Sequence, residues 1–296
     1  MAVRATVGRL CFNSWIKYYE RSVEIFALSR PFACCMNMIF LFPSDFFQKS
    51  KPDEMFQDQF EAFVRAGHSC FVTNVEEGGP VYPRVPFPGE HALLYRGFML
   101  TPDAYRALFQ RLQTAGASPL TSPEEYRLCH HIPNWYRLIE AYTPETIICK
   151  DTTEAIEAIQ KLDWDGFFIK DYVKSLKTSV GSLITDAQQI PLVISEMEKY
   201  RGTIEGGICI RKAEQWNPGT ETRAFIYKHR AFLPGDAEFP VELSPVLDAI
   251  QAPFYSLDFV TDVNGRFRIV EIGDGQVSDL VGWSTAEFVR IFESDA

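Results

Sequence analysis

The chain has 296 residues, enough for two domains of ordinary size. A composition of 46% hydrophobic and 23% charged residues supports a packed core, and no run of about 20 apolar residues offers a membrane span. A net charge of −10 argues against non-specific polyanion binding, which depends on Lys and Arg displacing counterions.

Residues 1–37 differ from the rest. They hold five basic residues (Arg4, Arg9, Lys17, Arg21, Arg30) and two acids (Glu20, Glu24), so the remaining 259 residues carry about −13. Scattered Arg resembles a transit peptide, but Ser is scarce and there is no clean cleavage pattern. The segment is read as an appended stretch, with the domain opening at Met36 or Met38. From there a short buried-type strand (38–43), an amphipathic helix (52–67, apolar at Met55, Phe56, Phe60, Phe63 and Val64) and a strand (69–74) suggest a parallel βαβ unit. A Pro-rich loop (79–88) and a strand (91–100) follow. Thr101-Pro102-Asp103 and Ser122-Pro123-Glu124-Glu125 open two helices, the second with a capping box.

The pattern restarts after Tyr142-Thr143-Pro144, which places a domain boundary near residue 140. A strand (146–150), a helix (152–162), a strand (166–173), a polar Lys/Ser/Thr loop and a helix (191–200) come first. Strands at 206–213, 222–228 and 231–235, a helix at 241–252, a hairpin of 256–262 and 266–273 around Asn264-Gly265, and a last helix from Thr285 complete the chain. The first part reads as α/β and the second as antiparallel-rich α+β. Seven cysteines, an odd number without a CxxC, fit reduced thiols in a cytoplasmic protein.

Several residues could carry chemistry. Counted from an Asn264–Gly265 turn, Asp258 and Glu271 face each other across the hairpin. Like charges so placed call for a cation such as Mg²⁺, or else form a solvent-facing pair. Lys170 ends a largely apolar strand, and Lys174 and Lys177 follow among small hydroxyl residues; the loop either covers phosphates or is simply solvated. Arg211 and Glu214 follow the apolar GGICI, and Glu221 and Arg223 alternate on the next strand. Within Cys129-His130-His131, neighbours on a helix project about 100° apart and cannot all face one ion. His130 or His131, with Tyr126 and Arg127, is instead expected at an acceptor cleft, and Trp135-Tyr136 in the core.

The order of these features resembles the ATP-grasp superfamily. TETRAFIYKHRAFL (220–233) is similar to its arginine strand and SLDFVTDVNGRFRIVEIGDGQ (256–276) to its metal hairpin. FLFPSDFF, YRGFMLTPDAY and SPEEYRLCHHIPNWYRLIEAYTPET resemble a divergent bacterial and phage clade. The resemblance implies an ATP-grasp fold, two α+β subdomains clasping ATP over 143–296, preceded by a βαβ pre-ATP-grasp domain over 38–142. It implies ATP and Mg²⁺ as cofactors. It further implies Lys170 and Lys174 on phosphate, Arg211 and Glu214 at the hinge beside the nucleoside, Arg223 as the catalytic arginine, and Asp258 and Glu271 on metal. Where the family keeps Asn after the metal glutamate this chain has Gly273, so Asp274 or Gln276 is expected to supply the missing oxygen. The implied activity is an ATP-dependent ligase that activates a carboxylate for attack by an amine. The acceptor is a small carboxylate or amine or a peptide. RNA end joining and non-catalytic ATP binding are the alternatives.

Overall fold

A computed structural model describes residues 38–75, 78–87, 91–173, 182–201 and 204–293, and these fall within one compact unit, Asn37–Ser294. The appended stretch 1–37 and most of the polar loop, with Lys174 and Lys177, lie outside the described residues.

The first sheet grows from the apolar runs around position 40. Strand β1 (Ile39–Pro43) is buried along its whole length, as a central parallel strand covered on both faces requires. Helix α1 (Gln57–Arg65), entered through a 3-10 turn capped by Asp53, returns the chain to β2 (Ser69–Thr73), parallel to β1. After β3 (Val81–Tyr82), β4 (Ala92–Tyr95) pairs with the other side of β1. This strand is shorter than expected because Arg96 and Gly97 turn away to meet residues 275 and 276. Helix α2 (Pro102–Thr114) starts on Thr101, and β5 (Ser118–Pro119) closes the order β3-β2-β1-β4-β5. Helix α3 (Pro123–His130) has the expected Ser122–Glu125 capping box. A one-turn helix not foreseen, α4 (Ile132–Tyr136), buries Trp135 completely.

The second sheet has the order β6-β9-β7-β8: β6 (Thr146–Cys149), β7 (Phe167–Asp171), a short β8 (Leu183–Ile184) and β9 (Ile208–Lys212). Helices α5 (Thr152–Ile159) and α6 (Ile190–Arg201) cover the face that carries Phe167, Ile169, Ile208 and Ile210. The opposite face therefore carries Lys170, Cys209 and Arg211.

The third sheet, β11-β10-β12-β13, consists of β10 (Thr222–Tyr227), β11 (Arg230–Phe232), β12 (Phe254–Thr261) and β13 (Phe267–Asp274), with α7 (Ser244–Ala249) between β11 and β12. Its Phe225 and Phe254 join Phe40 and Phe63 of the first layer in one cluster, with Phe288 of the last helix α8 (Thr285–Arg290) between them. Among the described residues no helix is long and apolar enough to cross a membrane.

Candidate active site

The hairpin of β12 and β13 brings its two acids together by a route the sequence does not show. Next to the turn the register is Thr261↔Phe267, Val260↔Arg268 and Phe259↔Ile269, which taken alone would set Asp258 opposite Val270. A bulge at Val270 shifts the ladder by one residue, so that Asp258 faces Glu271. The spare carbonyl of Val270 is not wasted, because Arg211 Nη1 donates to it at 2.6 Å.

Each acid has its own cation. Arg223, opposite Asp258 on β10, grips that carboxylate with two parallel bonds, Nε–Oδ1 at 2.7 Å and Nη2–Oδ2 at 2.6 Å. Its third nitrogen donates to the Asp279 carbonyl at 2.9 Å. Lys170 crosses from the second sheet and donates to Glu271 Oε2 at 2.9 Å. The Lys170 side chain is only 2% exposed, while the Glu271 side chain keeps 27%. Lys170, Arg211 and Arg223 thus surround Asp258 and Glu271, three cations against two carboxylates. Burial favours the neutral acid at Glu271, yet Lys170, Arg211 and Arg223 outweigh it and hold the carboxyl below its ordinary value. Burial likewise lowers Arg211, whereas the Asp258 clasp outweighs burial at Arg223 and raises it.

Arg211 also donates to Thr143 Oγ1 at 2.6 Å, linking the second sheet to the segment that precedes it. Three residues on, Glu214 receives a two-pronged clasp from Arg268, at 2.9 and 2.8 Å. Thr143, Lys212, Glu214 and Arg268 line an open groove of about 860 Å³ at this end of β9. That is within the roughly 300–1,000 Å³ common for ligand sites.

Asp274 departs from the expectation that it joins Asp258 and Glu271. Three positions after Glu271 on a regular strand, it turns to the opposite face. It is 1% exposed there and accepts from the backbone N and the Nε2 of Gln276, at 3.0 and 3.1 Å. Gln276 in turn reaches Tyr95 N and the Tyr105 hydroxyl, and its carbonyl accepts from Arg96. The Gly-Asp-Gly-Gln stretch is therefore a tie between the first and third sheets, and its oxygens do not face the acid pair. Burial pushes the Asp274 carboxyl up to about 7, against the pull of the Gln276 bonds.

Two hydroxyls that the sequence reading passed over do face the pair. Gly273 shares the face of Glu271, and a Cβ there would meet Ser256 Oγ at 2.8 Å and Ser278 Oγ at 3.1 Å. These hydroxyls bond each other at 2.7 Å. Ser256 was visible in principle, since Ser256 and Asp258 are the polar residues at even positions of an otherwise apolar strand. Ser278 reaches the site only through the turn after β13.

Sequence and structure comparisons agree with this geometry. A family model described as an ATP-grasp domain, family 3 of its clade, matches residues 137–291, just over half of the chain. No curated protein matches it in sequence. Among solved structures, the D-cycloserine synthetase DcsG superposes with a TM-score of 0.59 at 12% identity, over 87% of this chain and 99% of that one. The ATP-grasp ligase PsnB, complexed with a phosphomimetic variant of its minimal precursor, Mg and ADP, gives 0.54 at 13% identity, over 90% and 99%. D-alanyl-alanine synthetase A from Vibrio cholerae gives 0.54 at 13% identity, over 88% and 98%.

Proposed function

Since the chain belongs to this ATP-grasp domain family, we propose that it is an ATP- and Mg²⁺-dependent ligase joining a carboxylate to an amine. In this reading residues 38–142 form the pre-ATP-grasp part and 143–296 the nucleotide clasp. The observation that carries it is the charge lattice between the second and third sheets. Lys170, Arg211 and Arg223 are anion-binding groups in a largely dry setting, each now held by a carboxylate or a carbonyl that a phosphate oxygen would replace.

Asp258 and Glu271 suit the metal. They are hard oxygen donors set directly opposite each other, and once phosphates take over Arg223 and Lys170 the two carboxylates are left to a shared cation. Mg²⁺ at that place would neutralise charge on the phosphates. Ser256 and Ser278 are the further oxygens at hand on that face, in the space that the missing Asn side chain would occupy. The groove beside Glu214 is the place we assign to the nucleoside, with Glu214 and Arg268 at its rim. Lys174 belongs to the same reading as a phosphate contact from the loop.

The reaction balances in two steps. A carboxylate oxygen attacks the γ-phosphorus of ATP, the bond to the β-phosphate oxygen breaks, and ADP leaves. The amine then attacks the acyl carbon, loses a proton to solvent, and expels inorganic phosphate. Lys170 and Arg223 hold charge that builds on the transferred group, and Arg211 fixes the β13 bulge that sets Glu271. The precursor-peptide complexes of PsnB and of the macrocyclase MdnC support a peptide or amino-acid acceptor.

The test is ADP release from ATP and Mg²⁺ with separate pools of amino acids, peptides and RNA. ADP formation dependent on an amino acid or peptide pool is expected. Glu271→Ala should lower it at least about 100-fold, the order expected when a group acting on transferring phosphate is lost. Unchanged turnover in that variant would falsify the assignment, and turnover only with RNA would shift the acceptor class.

A further inference from the structure

A second cluster lies where helix α3 ends. Inside a helix the adjacent His130 and His131 would diverge, but α3 stops at His130. His131 takes extended angles, φ −107° and ψ 122°. That single residue swings the second imidazole back, leaving the ring centroids 5.5 Å apart. Both Nε2 atoms then address the same oxygen, Glu205 Oε1, at 3.8 Å from His130 and 2.9 Å from His131. The three candidate ligand atoms lie within 4.8 Å of one another.

We propose that His130, His131 and Glu205 form a binding site for a divalent transition metal, with Zn²⁺ as the natural occupant. Zn²⁺ bonds of about 2.0–2.2 Å in a tetrahedron set ligand atoms about 3.4 Å apart, between the two distances observed. Imidazole and carboxylate are suitable donors for Zn²⁺, and three protein ligands leave a fourth position for water or a substrate oxygen. The surroundings hold the donors in place. His130 stacks on Tyr126, itself stacked on Tyr105, and His131 meets the edge of Tyr172. Glu205 is anchored through its carbonyl, which accepts from Tyr172 N, and the Tyr172 carbonyl accepts from Ile132 N. Tyr172 follows Lys170 by two residues, so a metal here would neighbour the phosphate end of the ligase site while using none of its ligands.

The test uses full-length chain carrying Cys34→Ser and Cys35→Ser, so that this thiol pair does not compete. The protein is stripped with chelator and titrated with Co²⁺ and then Zn²⁺ in the absence of nucleotide. One equivalent of Co²⁺ should give visible d–d absorption that Zn²⁺ displaces. His131→Gln and Glu205→Gln should each weaken binding more than about 100-fold, beyond the 10–100-fold typical for an outer-shell partner. His91→Gln and Glu271→Ala should retain it, which keeps the result separate from the ligase reading. Circular dichroism confirms that the variants are folded. Absence of d–d absorption in the parent, or absorption that survives in folded Glu205→Gln, overturns the site.

Discussion

Asp274 shows how one carboxyl can couple the fold to pH. It sits on the far face of β13, almost fully buried, and among the described residues its carboxylate accepts hydrogen bonds from Gln276 alone. Burial pushes its pKa up to about 7, against about 3.9 for a free aspartate. Over that window the folded chain keeps a proton that the unfolded chain releases. The stability it contributes is therefore present below about pH 4 and is lost as pH rises through about 7. Between roughly pH 5 and 8 the wild type should lose on the order of 2 kcal/mol through this group. Asp274→Asn should flatten that slope, read from urea midpoints at the two pH values. Equal slopes in both proteins would rule out Asp274 as the source.

At the scale of elements, the β12–β13 hairpin decides the character of the site. The bulge at Val270 sets Glu271 opposite Asp258 and turns a carbonyl towards Arg211. Gly273 opens the space that Ser256 and Ser278 fill. Gly273→Asn should therefore be destabilising, because a Cβ at this position would meet two hydroxyls at 2.8 and 3.1 Å. Overpacking of this kind costs typically about 1–3 kcal/mol. Adding Ser256→Gly and Ser278→Gly to Gly273→Asn should recover most of the loss in a thermal melt. A triple variant no more stable than the single one would mean that the hydroxyls are not what limits the space.

For the whole molecule, the aromatic cluster joins what the sequence divides. Phe288 of α8 contacts Phe63 from the first layer and Phe225 and Phe254 from the third sheet. The first and third sheets should consequently unfold in a single transition. Phe288→Ala should lower stability by about 3–5 kcal/mol without splitting that transition. Two separated transitions by fluorescence and circular dichroism would show instead that the sheets are independent.

The sequence by itself determined the elements and the identity of the charged residues. Period-2 and period-3.6 patterns placed most strands and helices, and the Thr101 and Ser122 caps marked helix starts, because these signals depend on neighbours within a few positions. Lys170, Arg211, Arg223, Asp258 and Glu271 were all legible as candidates, and the structure brings them together. Tertiary structure alone decided the rest. Whether Asp274 shares a face with Glu271 depends on parity along a strand whose register is set by a bulge, and a bulge has no composition of its own here. That Ser278 reaches Ser256, that Arg268 clasps Glu214, and that His130 and His131 converge on Glu205 all depend on contacts between segments far apart in the chain, or on one residue leaving helical space. Local periodicity carries no information about such contacts, since they form only when separately folded elements pack.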